Sequence, residues 1–89
     1  MAENYLFIDV HTPHANKLVK RLNRLKNTVA ADRGEYRFPE PTGYSMLMVV
    51  SDKTEEQMDS WLYNTKHGCD YVGCGKTEPF NIFDYLYED

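Results

Sequence analysis

The chain has 89 residues, of which 42% are hydrophobic and 27% are charged, and its formal net charge at pH 7 is −4. This composition is typical of one folded domain and argues against a disordered chain. It also argues against a membrane protein, because no apolar run approaches the length of a spanning helix. The first residues lack the pattern of a signal peptide, and two cysteines do not make a disulfide scaffold. We therefore expect a single cytoplasmic domain over residues 1–89.

The first predicted element is a strand over residues 5–10, where aromatic and β-branched residues form a short run. Successive side chains of a strand point to opposite faces of its sheet. One set is expected to face the helices, namely Leu6, Ile8 and Val10. The other set is expected on the opposite face, namely Tyr5, Phe7 and Asp9.

A helix of about 18 residues is predicted next from its apolar periodicity, with Thr12 as its N-cap and Pro13 in its first turn. Its apolar stripe comprises Ala15, Leu18, Leu22, Leu25 and Val29. Gly34 is expected to end the helical segment. Seven of the ten lysines and arginines fall within residues 14–37, and the remainder of the chain is acidic. The sequence thus predicts one basic helix on an acidic body.

The middle of the chain predicts two further strands. A short one covers residues 35–38, and two prolines then predict a loop over residues 39–43. The run from 44 to 50 is nearly all apolar, as is typical of a central strand.

A second helix is predicted to begin at Thr54, because Thr54 and Gln57 have the spacing of a capping box. Its apolar face comprises Met58, Trp61 and Leu62. Gly68 is expected to end the helix, and a fourth strand is predicted over residues 69–74, closed by the glycines around Cys74.

This order of elements predicts an α+β protein with a ferredoxin-like split β-α-β sandwich, in which two helices cover one face of a four-stranded antiparallel sheet. Residues 78–89 form an aromatic and acidic C-terminal extension. Two arrangements of this tail remain open, an additional edge strand and a helical turn on the uncovered face of the sheet.

Aromatic residues on the uncovered face suggest one function. Tyr5, Phe7 and Tyr44 are expected there on the two central strands, with Tyr5 and Phe7 beside Tyr44 and Met46. Residues 6–8 resemble the opening of the shorter motif of the RNA recognition motif family, and residues 43–45 resemble part of its longer motif. Aromatic residues on those strands of the family stack on bases. The resemblance implies single-stranded RNA binding, and either the basic first helix or Arg37 is then expected near the phosphates.

The sequence also bears on zinc binding and on enzymatic catalysis. The expected topology brings His11 close to His67 and Cys69, and imidazole and thiolate groups are zinc ligands. Their spacing matches no established zinc motif, so we expect neither a metal nor another cofactor. The chain has no nucleophile elbow, no glycine-rich phosphate loop and no convincing carboxylate pair, so we expect no enzymatic activity.

The second helix and the tail carry acidic residues interleaved with aromatic ones. Such a surface is suited to docking on a basic surface of another protein, because charge accelerates encounter and aromatic rings provide contact area. The candidate partner-binding residues are Asp52, Glu55, Glu56, Asp59, Tyr63, Tyr85 and Tyr87.

The segment from Asp52 to Tyr63 resembles the second-helix segment of a small phage-encoded anti-CRISPR protein of the type I-F class, with one insertion allowed. The resemblance covers twelve residues and implies a non-catalytic inhibitor that binds a nucleic-acid-handling defence complex. We therefore expect a phage-type inhibitor that acts in the host cytoplasm and occludes a basic surface of a host protein. RNA binding is the alternative, and a homodimer joined through the uncovered sheet face or an edge strand is a third hypothesis.

Overall fold

The computed structural model describes residues 3–37, 39–65 and 71–86. In chain order its elements are β1 (Asn4–His11), α1 (Thr12–Leu22), β2 (Thr28–Arg37), β3 (Pro41–Ser51), α2 (Glu55–Thr65), β4 (Tyr71–Lys76) and the short α3 (Phe83–Leu86). The strands form one antiparallel sheet in the order β2-β3-β1-β4. The α+β class and the four-stranded antiparallel sheet are thereby confirmed. The ferredoxin-like assignment stays a prediction, because it also requires a particular handedness of both crossovers.

The hydrophobic core lies between α1, α2 and one face of the sheet. Its strand residues alternate along β1 and β3, as a two-residue period requires. The fully buried members from these strands are Leu6, Ile8, Val10, Leu47 and Val49. Leu18 and Leu22 of α1 and Met58 of α2 pack against them. The face predicted for Leu6, Ile8 and Val10 is therefore confirmed.

The prediction of an 18-residue first helix is wrong at both ends. α1 has 11 residues, His11 precedes it, and Thr12 lies inside it with its hydroxyl 2.9 Å from that of Ser45. Asn27 adopts a left-handed backbone with φ of 55°, which asparagine tolerates better than most residues and which no helix continues through. Val29 consequently belongs to β2 and not to the helical stripe.

The second strand is longer than predicted, because it begins at Thr28 and not at Glu35. Gly34 does not end a helix but lies inside β2, where the register with β3 shifts between Asp32 and Gly34. Its φ is 116°, and its N–H donates a 2.8 Å hydrogen bond to the Asp32 carboxylate. A left-handed backbone at this bulge favours glycine, which explains the residue.

Two predicted boundaries of the other strands also differ from the structure. β3 begins at Pro41, which pairs with Arg37 of β2. Residues 41–43, which were predicted to lie in a loop over residues 39–43, therefore belong to β3. β4 extends to Lys76, so Gly73 and Gly75 lie within the strand and do not end it. The predicted start of this strand at Cys69 and the predicted helix end at Gly68 lie outside the described residues.

The described part of the tail lies on the uncovered face of the sheet and includes a helical turn. The rings of Phe80 and Tyr5 meet edge-on, with centroids 5.3 Å apart. Phe80 and Phe83 face Tyr5, Val29 and Val50 across a small cavity. Of the two arrangements left open by the sequence, the structure contains the helical turn, as α3.

Candidate functional site

The N-terminus of α2 is fixed by the predicted capping box. The Thr54 N–H donates to Gln57 Oε1 at 2.9 Å, and the Gln57 N–H donates to Thr54 Oγ1 at 3.2 Å. Glu55 and Glu56 occupy the first turn, where carboxylates interact favourably with the helix dipole. The buried side chains of Met58 and Leu62 fix which side of α2 faces solvent.

Four of the candidate partner-binding residues share one side of α2, and we call Glu55, Glu56, Asp59 and Tyr63 the acidic strip. Glu55, Asp59 and Tyr63 follow one another at intervals of four residues, which places them on adjacent turns of one helix face. Tyr63 is 70% exposed, and Glu56 and Asp59 are also exposed. The strip therefore presents three carboxylates beside a solvent-facing aromatic ring.

The acidic strip is anchored to the edge strand β4 through Asp59. The Tyr71 hydroxyl donates a 2.7 Å hydrogen bond to the Asp59 carboxylate. That hydrogen bond, together with burial and the charge of Asp59, raises the pKa of Tyr71 to about 12. The phenol thus stays a donor throughout the physiological pH range.

The negative charge of the strip also affects Cys74 on β4. Burial is the main reason that the pKa of this thiol rises to about 12, and the charges of Asp59 and Glu55 raise it further. A thiol held in its protonated form is a poor nucleophile. Burial and the charges of the acidic strip therefore lower the reactivity of Cys74 in the folded chain.

Two of the remaining candidate partner-binding residues lie elsewhere in the described structure. Asp52 precedes α2 and accepts a 3.1 Å hydrogen bond from the Asn27 side chain. Tyr85 belongs to α3 on the opposite side of the sheet, where its ring meets Phe80 with centroids 5.8 Å apart. Tyr87 lies outside the described residues. The structure thus brings together four of the seven candidates.

The register between β1 and β3 separates Tyr5 from Tyr44, whereas Phe7 and Met46 are offset by only two positions. Tyr5 pairs with Val50, whereas Tyr44 pairs with His11, six residues farther along β1. At the rise of a β-strand, this offset places Tyr5 and Tyr44 about 20 Å apart.

The other residues expected to bind RNA are also dispersed. Phe7 pairs with Met48 and lies against Gly75 of β4, and Arg37 is exposed near the tip of the β2–β3 hairpin. Tyr5 packs edge-on against Phe80 of the tail. The described residues do not form a continuous aromatic platform of Tyr5, Phe7 and Tyr44.

The low-ranked zinc hypothesis gains no support from the part of the chain that the structure describes. The His11 ring packs against Tyr44, with centroids 4.9 Å apart. His67 and Cys69, its proposed co-ligands, lie outside the described residues. Within those residues, no group of three or more His, Cys, Asp or Glu side chains is arranged to hold a metal ion.

A groove on the uncovered sheet face was not predicted from the sequence. We call it the tyrosine groove, and its lining residues are Asp9, Tyr36, Thr42, Tyr44 and Val72. The Tyr36 hydroxyl donates a 2.6 Å hydrogen bond to Asp9 Oδ1. One signal was present in the sequence, since Asp9 is a lone carboxylate within an otherwise apolar strand.

No protein-family model, no curated protein and no solved structure matches the chain. None of the helices within the described residues has both the length and the apolar character needed to cross a bilayer.

Proposed function

We propose that this chain is a non-catalytic, protein-binding inhibitor of the phage-encoded kind, which occludes a basic surface of a host nucleic-acid-handling protein. The acidic strip is the observation that carries the proposal. Its carboxylates are suited to accelerating encounter with a basic surface, and Tyr63 offers an exposed ring that a partner can bury. Covering the basic surface would exclude nucleic acid without any chemical step.

The strip is held in place before a partner arrives. The capping box fixes the first turn of α2, and the hydrogen bond from Tyr71 to Asp59 joins the helix to β4. A preorganised surface loses less conformational entropy on binding than a mobile one. The strip therefore suits tight binding by a small protein.

The assignment to phage-type inhibitors rests on the resemblance of residues 52–63 to the anti-CRISPR segment. Those residues include the whole acidic strip and the capping box that begins α2. Of the seven candidates, we retain Glu55, Glu56, Asp59 and Tyr63 as the binding set, because Asp52 and Tyr85 lie on other surfaces.

The RNA-binding alternative is less well supported by the geometry. Base stacking in the RNA recognition motif family needs aromatic residues that lie close together on the central strands. Here about 20 Å of strand separates Tyr5 from Tyr44, and Tyr5 already packs against Phe80.

The proposal is tested by capturing partners of the tagged chain from a bacterial lysate, with and without nuclease, and identifying them by mass spectrometry. We expect one stoichiometric protein that survives nuclease treatment. The double variant E55Q/E56Q should retain markedly less of this protein, and added salt should weaken the wild-type complex more than that of the variant.

The matched control is E40Q/E78Q, which removes the same charge from two exposed glutamates outside the acidic strip. It should retain the partner as well as the wild type does. Equal loss with both variants would indicate a net-charge effect and contradict the assignment of the strip. Recovery of RNA, with all proteins lost after nuclease treatment, would instead favour the RNA-binding alternative.

A further inference from the structure

The tyrosine groove lies at the end of the uncovered sheet face that is remote from the described tail. Tyr44 pairs with His11 at the end of β1, whereas Phe80 covers Tyr5 at its beginning. The groove encloses a volume of about 300 Å³, at the lower end of small-ligand pockets. Tyr44 is 39% exposed and Val72 is 56% exposed, so its walls are open to solvent.

A partly buried carboxylate lies among these largely apolar walls. Asp9 accepts the Tyr36 hydroxyl through Oδ1, which leaves acceptor capacity on a group with about four lone-pair sites. Burial and the hydrogen bond to Asp9 raise the pKa of Tyr36 to about 12, so the phenol stays a donor in this hydrogen bond. A carboxylate in such surroundings is best stabilised by a positively charged partner.

We propose that the tyrosine groove binds the guanidinium group of an arginine side chain presented by another protein. Asp9 provides the negative charge and an acceptor, and Tyr36 and Tyr44 provide aromatic rings on which a planar cation stacks. Arginine fits this combination better than lysine, because its flat guanidinium both stacks on rings and pairs with a carboxylate. The net charge of −4 favours the approach of a basic partner.

The chain itself supplies a cation near the groove. Arg33 is an exposed residue of β2, and its charge opposes the rise in the pKa of Tyr36. The same charge repels an incoming arginine that approaches the Tyr36 hydroxyl. Replacing Arg33 by alanine is expected to strengthen binding.

The inference does not rest on the proposed function. The acidic strip lies on α2, on the helix-covered side of the sheet, and the groove lies on the other side. The variant E55Q/E56Q, which weakens the strip, should leave arginine binding unchanged. Failure of one proposal is thus distinguishable from failure of the other.

The test is an NMR titration of the ¹⁵N-labelled chain with N-acetyl-arginine amide. We expect saturable shifts of the Gly43, Tyr44 and Val72 amides, with a dissociation constant in the millimolar range. The citrulline analogue has nearly the same shape without the charge, and it should bind at least about tenfold more weakly. The lysine analogue should also bind more weakly than the arginine probe.

Two variants complete the test. D9N removes the charge but keeps an acceptor for Tyr36, and it should weaken binding by about tenfold or more. If D9N fails to fold, Y44L keeps an apolar side chain and removes one ring, and it should weaken binding several-fold. Equal binding of arginine and citrulline, shifts confined to other surfaces, or equal binding of arginine and lysine would overturn the assignment.

Discussion

The side-chain amide of Asn23 pairs with both backbone groups of Ala30. Its Oδ1 accepts the Ala30 N–H at 2.8 Å, and its Nδ2 donates to the Ala30 carbonyl oxygen at 3.1 Å. β2 is the outermost strand on its side of the described sheet. At Ala30, the amide of Asn23 therefore takes the place that a neighbouring strand would occupy along this edge of the sheet.

Asn23→Ala is expected to lower the free energy of unfolding by about 2 kcal/mol, because both backbone groups of the buried Ala30 lose their partner. Urea denaturation followed by circular dichroism measures the change. Asn16→Ala is the matched control on the exposed side of α1 and should cost nothing, since alanine favours helices. Equal losses in both variants would show that the pairing with Ala30 contributes little.

The same residue shows why the end of α1 was not predictable from the stripe. Leu25 and Val29 continue the helical spacing of Leu18 and Leu22, yet Val29 lies on β2. A spacing of three and four residues does not by itself separate a long helix from a shorter one followed by a strand. At the end of α1, Asn23 hydrogen-bonds with Ala30, seven residues later, and the spacing of the apolar residues does not reveal this contact.

Local patterns were predicted well, and contacts between distant segments were not. The capping box was predictable because Thr54 and Gln57 are three residues apart. The tyrosine groove was not, because Asp9 and Tyr36 lie 27 residues apart, and Tyr36 lies within the second of two irregularities of β2. A sequence gives the alternation of each strand, but the register between strands also depends on bulges and loop lengths.

Gly75→Ala is expected to destabilise the protein by about 1–2 kcal/mol through overpacking. A Cβ atom at Gly75 would lie 2.7 Å from Cε1 of Phe7, so the ring would have to move. Gly73→Ala is the matched control on the same strand, since its added Cβ would meet no atom within 4 Å. Thermal unfolding of both variants separates the steric effect of the new Cβ from the effect of replacing a strand glycine by alanine.

A double-mutant cycle assigns the cost of Gly75→Ala to the ring. Phe7→Leu removes the atoms that the new Cβ would meet, so Gly75→Ala should cost less in that background. The same cost in both backgrounds would place its origin elsewhere.

Stability is expected to fall as the pH rises above 10. The pKa values of Tyr36 and Tyr71 rise from 10.0 to about 12 in the folded chain. Between these values the unfolded chain loses both protons while the folded chain retains them, so rising pH favours unfolding. The contribution is fully present below pH 10 and is lost by about pH 12. Melting temperatures across this range provide the measurement.

The variant Tyr71→Phe separates the contribution of Tyr71 from that of Tyr36. The variant lacks the hydrogen bond to Asp59 and should be less stable than the wild type at neutral pH. Its disadvantage should shrink between pH 10 and pH 12, because only the wild type loses stability through Tyr71 in that range. A difference that stays constant with pH would contradict the assignment of the raised pKa.

Cys74 is expected to react slowly with iodoacetamide in the folded chain. Its pKa of about 12 leaves a thiolate fraction on the order of 10⁻⁴ at pH 8, and the side chain is half-buried. In a Cys69→Ser background, which leaves a single thiol, alkylation should be at least about 100-fold slower in buffer than in concentrated urea.

Because Glu55 and Asp59 also raise the pKa of Cys74, E55Q/D59N should react somewhat faster than the parent while remaining folded. Similar rates in buffer and in urea would contradict the burial of Cys74, and an unchanged rate in the double variant would show that the acidic strip does not act on the thiol.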